Sequence, residues 1–321
     1  MTISRRAALA AGAGLAVLGT GPRRTNAQTP ASPAPDHGQA PGYYRYRIGD
    51  IEVTAINDGY ADRSLEGYVK NVALAEVETE ISKLHHGKGK IRVPYNSLVL
   101  RTGGKTVMID AGNGDSGAPT TGRWMANFKA AGFDPKDVST VLLTHLHGDH
   151  INGLRLKSGQ GMFESAEIKL PEAEHAFWMD DARMNAAPPA MKGAFENVRR
   201  VLASVPADQL VRFEPGAEVA PGITSVAAFG HTPGHTLFTV KSEGQSFAYV
   251  ADLTNVPSLF ARSPDWSVTF DMDKEMARAT RRKMFDMIVK EKMMAGGFHF
   301  PFPAFGTIDP AGNGYQFKPV A

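Results

Sequence analysis

Apolar residues recur along this chain with two periods, and the switches between them mark out its elements. Residues 43–48 and 51–56 alternate as short strands, and Asp58-Gly59 after them signals a turn. Leu74, Val77, Ile81 and Leu84 return at three- and four-residue steps, which predicts a helix over 74–84 with Glu76 near its amino end. Residues 96–101 and 105–110 predict a hairpin about Gly103-Gly104. Further helices are predicted at 122–131, from Pro171 to about 181, at 191–202 and at 274–292, the longest. Strands are predicted at 138–144, 166–170, 223–229, 237–241 and 247–251, with a carboxy-terminal strand near 315–317. Strand and helix alternate in two similar halves, which implies two sheets packed together with helices outside.

Chemistry gathers at the strand ends. Strand 138–144 delivers Thr144-His145-Leu146-His147-Gly148-Asp149-His150. Alternation sends His145, His147 and Asp149 to one side, and the turn after Gly148 brings His150 round to a second position. Imidazole and carboxylate suit zinc and similar cations, and four such groups exceed one tetrahedral ion's usual share of a single loop. Two ions are therefore expected. In the second half, strand 223–229 runs into Gly230-His231-Thr232-Pro233-Gly234-His235-Thr236. Asp252 ends a strand there as Asp110 does in the first half, and His299 lies in the strand-end stretch 298–303. The expected ligand set is His145, His147, Asp149, His150, His235, Asp252 and His299. His231 is assigned to stability, Asp110 to orienting a ligand histidine or capping its loop, and His85-His86 to a solvated helix end.

Composition narrows the chemistry. The chain has 321 residues, 42% apolar and 21% charged, enough for a sizeable core, and no cysteine. Any metal must therefore be held by His, Asp or Glu. Ser4-Arg5-Arg6 followed by the small apolar run 7–21 resembles a twin-arginine export signal, with Ala8 where a larger apolar residue is commoner. Domains are expected at 1–27 (signal, ending near Thr25-Asn26-Ala27), 28–41 (flexible linker) and 42–321 (a single catalytic body). Loss of 1–27 removes four arginines and no acid, leaving 31 basic against 33 acidic residues. That balance argues against nucleic acid. The apolar run is too short for a membrane span, and export implies a periplasmic or secreted protein.

The set as a whole is similar to the metallo-β-lactamase superfamily: H-x-H-x-D-H at 145–150, the glycine-flanked His235, Asp252 after a strand, and His299. Within it, the chain resembles the methyl parathion hydrolase and quorum-quenching lactonase branch. The likeness to the former covers residues 42–321 and includes Tyr43-Tyr44-Arg45, His231-Thr232-Pro233-Gly234-His235-Thr236, Asp252-Leu253 and His299-Phe300-Pro301-Phe302-Pro303. The resemblance implies an α/β fold, an αββα four-layer sandwich of two mixed sheets flanked by helices. It also implies two zinc ions, with cobalt, manganese or iron as alternatives. His145, His147 and His235 would hold one ion and Asp149, His150 and His299 the other, with Asp252 bridging.

A hydroxide between the ions would attack an ester carbonyl or a phosphorus centre, and Asp149 and Asp252 would orient it or carry its proton. By rough correspondence Trp178, Phe195, Phe229 and Phe302 would wall a pocket for a small neutral or aromatic ester: a lactone, an aryl ester or a phosphotriester. Trp178 is equally open to a place in the core. None of Tyr95, Tyr249 and Tyr315 can be matched to the tyrosine that lactonase relatives place beside the metals. Competing readings are a glyoxalase II-like thioester hydrolase, which would want a basic patch, and a non-enzymatic exported zinc-binding protein. A homodimer is compatible with all of these.

Overall fold

The computed structural model describes residues 41–83 and 89–320. The expected export signal, nearly all of the expected linker and the His85-His86 pair lie outside the described residues. No helix among the described residues is long and apolar enough to cross a membrane.

The first sheet is β1 (Tyr43–Ile48), β2 (Ile51–Ser64), β3 (Lys90–Thr102), β4 (Lys105–Ile109), β5 (Thr140–Leu142), β6 (Glu167–Pro171) and β7 (Leu210–Phe213), in that order. Its first four strands are antiparallel and its last four parallel. The second sheet holds β8 (Glu218–Ala220), β9 (Ile223–Ala227), β10 (Thr236–Ser242), β11 (Gln245–Tyr249), β12 (Met294–Gly296), β13 (Gly306–Ala311) and β14 (Gly314–Pro319). The connecting helices are α1 (Leu74–Ser82), α2 (Trp124–Ala130), α3 (Gly148–Ile151), α4 (Glu172–Trp178), α5 (Asp181–Ala186), α6 (Pro189–Leu202), α7 (Pro257–Phe260) and α8 (Lys274–Lys290).

Alternation along the strands builds the layers. Leu98 and Leu100 of β3, Val107 and Ile109 of β4 and Leu142 of β5 face the second sheet, where they meet Phe238, Val240, Phe247 and Tyr249. Their neighbours Val99, Met108 and Val141 point the other way, into a core shared with α2, α4 and α6. On the second sheet Leu237, Ala248 and Val250 turn outward against Met284, Phe285 and Ile288 of α8. The result is the expected αββα sandwich of mixed sheets. One local expectation changes. β2 does not stop at 56: a bulge at Asn57/Gly59 carries its pairing with β3 on to Ser64. There the buried Asp58 carboxylate accepts hydrogen bonds from Asn113 and the Gly122 and Trp124 amides instead of making a turn. The strand end expected at 298–303 is found where β12 stops at Gly296, and His299 follows it in a turn.

Two aromatic residues expected at the substrate wall belong to the helix layer. Trp178 and Phe195 are each 1% exposed, with ring centroids 4.8 Å apart. Both fall on inward faces of amphipathic helices, so their spacing served packing. Phe195→Ala should therefore cost about 3–5 kcal/mol of stability, read by thermal unfolding. KM for any ester substrate should change less than about twofold, a factor worth under ~0.5 kcal/mol. A large KM change with little loss of stability would return Phe195 to the pocket.

Candidate metal centre

The centre forms where strands of both sheets end at one edge of the sandwich. Two of those ends use left-handed backbone at non-glycine residues, Asp110 (φ 59°) after β4 and Ala251 (φ 46°) after β11. Such conformations cost of order 1 kcal/mol and persist where the surroundings hold them. Here they turn Asp110 and Asp252 inward. Both carboxylates are buried.

Three imidazole nitrogens converge first. His145 Nε2 lies 3.1 Å from His147 Nδ1, which lies 3.0 Å from His231 Nε2. Donor nitrogens about 2.0–2.1 Å from a tetrahedral zinc ion sit roughly 3.3 Å apart, so the spacing suits one cation. A second group is Asp149, His150 and His299: Asp149 Oδ2 is 3.4 Å from His299 Nε2 and 3.7 Å from His150 Nε2. Asp252 lies between the groups. Its Oδ2 is 3.3 Å from His231 Nε2 and 3.2 Å from His299 Nε2, and its Oδ1 is 3.2 Å from His150 Nε2. The same atoms also form a third possible ligand cluster, His145, His150 and Asp252.

His235 departs from the expectation. Its Nδ1 faces the Ala228 carbonyl at 2.9 Å and its Nε2 accepts the Asp252 amide at 3.1 Å, so both nitrogens are occupied. His231, expected to serve stability alone, takes the ligand place expected of His235. The turn decides which histidine reaches the centre. Gly230, at φ 127°, packs so closely on α8 that a Cβ there would come within 2.3 Å of the Ala277 nitrogen. Gly234 likewise abuts α4, 2.4 Å from the Glu174 nitrogen by the same measure. With both glycines pressed against helices, the loop turns His231 inward and leaves His235 to brace Asp252 from behind.

Most converging imidazoles are held on their outer nitrogen. Asp110 Oδ2 meets His150 Nδ1 at 2.9 Å while its Oδ1 accepts from Thr144, as the expected orienting role requires. His299 Nδ1 faces the Pro94 carbonyl at 2.9 Å, and Thr144 Oγ1 lies 3.0 Å from His145 Nδ1. His231 Nδ1 meets Asp271 Oδ1 at 3.0 Å, and Asp271 is paired at 3.2 Å with Arg281 of α8. Arg281 is fully buried and also donates to the Leu253, Pro264 and Trp266 carbonyls. Glu174 of α4 ties the two halves together. Its Oε2 accepts from the Leu146 amide and the Trp178 indole, and its Oε1 from the Gly234 amide. Asp271, Arg281 and Glu174 carry no local sequence signal of this role, because the site loops they brace lie 28 to 60 residues away in sequence.

Electrostatics favour a cation. Burial, then the neighbouring imidazoles, lowers the His145 and His147 pKa values well below the usual range, and burial takes His235 to about 3, so these rings are neutral donors. Burial opposes charge on His150 and His299 as well, but the facing carboxylates outweigh it and raise both. Burial would raise Asp252, but His299 and His150 hold it well below the usual carboxylate range. His150 Nε2 and Asp252 Oδ1 are buried without a hydrogen bond, although they face one another. Buried polar atoms rarely go unpaired, and a cation between them would satisfy both.

A cavity of about 490 Å³ opens onto the centre. Asp149, 28% exposed at its side chain, faces it with His147, Asp252 and His299. None of the four expected wall residues lines it: Phe302 is 37% exposed elsewhere on the surface, Phe229 is half-buried outside the cavity, and Trp178 and Phe195 lie in the core. The lining comes instead from Arg63, Val93, Tyr95 and Phe270, with asparagines and small residues. Tyr95 is the one of the three candidate tyrosines found there. Burial, then Asp149, pushes its phenol up to about 12.

An αββα sandwich with a histidine- and aspartate-rich dinuclear nest at one edge defines a class, and the sequence agrees with it. Residues 91–288 match the Metallo-beta-lactamase superfamily, and the chain belongs to that family. Among related sequences, an N-acyl homoserine lactonase of Bacillus sp is 25% identical over 165 residues, covering 51% of this chain and 56% of the relative. The N-acyl homoserine lactonase AttM of Agrobacterium fabrum (strain C58 / ATCC 33970) is 28% identical over 188 residues, covering 50% and 64%. The matched stretch is thus about half to two thirds of those relatives' length. Among solved structures, the hydrolase AbOPH is similar with a TM-score of 0.83 and 28% identity, covering 88% of this chain and 99% of its own. AidC, a dizinc quorum-quenching lactonase in complex with a product, gives a TM-score of 0.82 and 26% identity, covering 87% and 98%.

The histidine assignment is open to direct measurement. His231→Ala should lose about one bound ion per chain by elemental analysis, whereas His235→Ala should keep its metal and lose mainly thermal stability. Asp271→Asn should weaken metal affinity roughly 10–100-fold in a chelator competition. Metal loss from His235→Ala alone would reverse the assignment.

Proposed function

We propose that the protein is a dinuclear metal-dependent hydrolase of ester bonds, acting on lactones or aryl esters, with phosphotriesters as secondary substrates. The observation that carries this reading is the pair of ligand groups sharing one buried carboxylate, Asp252, at the floor of an open cavity. The lactonase relatives support the ester class. His145, His147 and His231 would hold one ion and Asp149, His150 and His299 the other. Zinc fits this nitrogen-rich donor set, and manganese, cobalt and iron remain candidates. Bound there, the ions would supply Lewis acidity and make water a nucleophile near neutral pH.

The chain's own residues do the rest. Asp252 faces imidazoles through both oxygens, so its part is to hold the two groups in register. Asp149 is the carboxylate open to the cavity, and we assign it the orientation of the attacking water and the carriage of its proton. The walls of Val93, Tyr95 and Phe270 give an acyl or aryl group a surface to lie on. Trp178 and Phe195 being in the core removes the aromatic wall that argued for a neutral substrate. The arginine pair and apolar run near the amino terminus support export of the folded protein.

Chelation should abolish ester hydrolysis, and zinc, cobalt or manganese should restore it. Full activity with less than one ion per chain would sink the proposal. Comparing kcat/KM for an acyl-homoserine lactone, dihydrocoumarin and methyl parathion on the reconstituted enzyme ranks the substrate classes. Lactone or aryl ester should lead; methyl parathion ahead of both would make phosphotriesters primary.

A further inference from the structure

We propose that Arg63 forms an anion-binding subsite at the mouth of the metal cavity, selecting esters that carry a carboxylate away from the scissile bond. The proposal rests on the hydrolase reading above and names a substrate class for it.

Arg63 is the penultimate residue of β2, on the stretch that the bulge at Asn57/Gly59 extends to the cavity. Successive side chains of a strand point to opposite faces. Asp62 takes one face, where it binds Arg92 at 3.0 and 3.2 Å, and the Arg92 guanidinium stacks 3.7 Å over the Tyr60 ring. Arg63 takes the other and lines the cavity. Among the described residues its guanidinium pairs with no carboxylate and donates to the neutral Tyr95 hydroxyl at 3.4 Å. The Tyr95 ring stands edge-on to His299, centroids 5.3 Å apart, so the guanidinium lies on the His299 side of the centre.

The charge there is uncompensated. Arg63 is the one Arg or Lys lining the cavity among the described residues. The two acids that share that lining, Asp149 and Asp252, are turned to the imidazoles of the centre. Beyond them the walls offer uncharged polar groups, among them Asn113 and Asn255, and the apolar ring of Phe270. A planar guanidinium presents a fork of donors matched to a carboxylate, and low-dielectric walls focus its field on the entrance.

The test compares mono-para-nitrophenyl adipate with its methyl ester on the zinc-loaded full chain. These probes differ in one remote charge and share the scissile bond. Wild type should prefer the anion by about tenfold in kcat/KM, the scale of one charge-assisted hydrogen bond, mainly through KM. The preference should shrink with added salt. Arg63→Met should erase it while leaving turnover of the methyl ester within about twofold, under half a kcal/mol, and Arg63→Lys should retain part of it. Equal handling of the pair by wild type, or equal losses on both in Arg63→Met, would overturn the subsite. Release of nitrophenolate from neither ester would count against the hydrolase reading instead. Calorimetric titration with adipoyl-para-nitroanilide and its methyl ester then decides the subsite without turnover. Tighter binding of the anion that disappears in Arg63→Met supports it, and equal binding overturns it.

Discussion

The structure depends on keeping Asp252 ionised at 4% exposure in the seam between two sheets. A buried carboxylate is tolerated only if paired and hydrogen-bonded. Here the pairing is spread over His150, His231 and His299, which arrive from β5, β9 and β12. No one of those strands can shift without leaving a charge or an imidazole uncompensated. The cost of the acid thus fixes the relative height of the strand ends, and the hydrophobic seam between the sheets supplies the stability that offsets it. The carboxylate is braced from behind by His235, whose ring occupies the Asp252 amide.

Bracing continues outward into both helix layers. Glu174 of α4 accepts amides from the loop carrying His145–His150 and from the loop carrying His231, so a first-layer helix clamps the two halves together. Arg281 of α8 does the equivalent from the opposite layer, holding Asp271 behind His231 and the Leu253 carbonyl beside Asp252. Burying an arginine this deeply is costly unless each of its donors is used. The guanidinium here has three backbone carbonyls and a carboxylate. Orienting partners of this kind fix which ring nitrogen points inward and raise ligand basicity.

Local pattern exposed much of this and could not expose the rest. The sheet cores were legible because a period of two survives wherever one strand face is buried, as in β3 and β4. The run from His145 to His150 was legible because four ligand-type groups crowd one strand end. The choice between His231 and His235 was not, since both share one short loop and differ only in which helix each glycine meets. Gly230 meets Ala277 and Gly234 meets Glu174, contacts that no window of sequence contains. The aromatic wall misled for a related reason. Trp178 and Phe195 sit at helical spacing, and apolar helical spacing reports a core before it reports a pocket. Phe270, which does line the cavity, lies outside regular structure and has no period to reveal it.

A division of labour follows from where the side chains are rooted. Most groups of the metal nest are tied to a strand end and to a partner in a helix layer or a neighbouring loop. The mouth is different: Arg63 hangs from the far end of β2, and Phe270 from the segment before α8, 41% exposed. Substitutions at the mouth disturb few buried hydrogen bonds, whereas substitutions in the nest strand a charge. Selection on substrate can therefore act on the mouth almost independently of the chemistry below it. The ligand motif defines a family while leaving its substrate open, and in this chain the uncompensated charge of Arg63 is the feature of the mouth most able to narrow that choice.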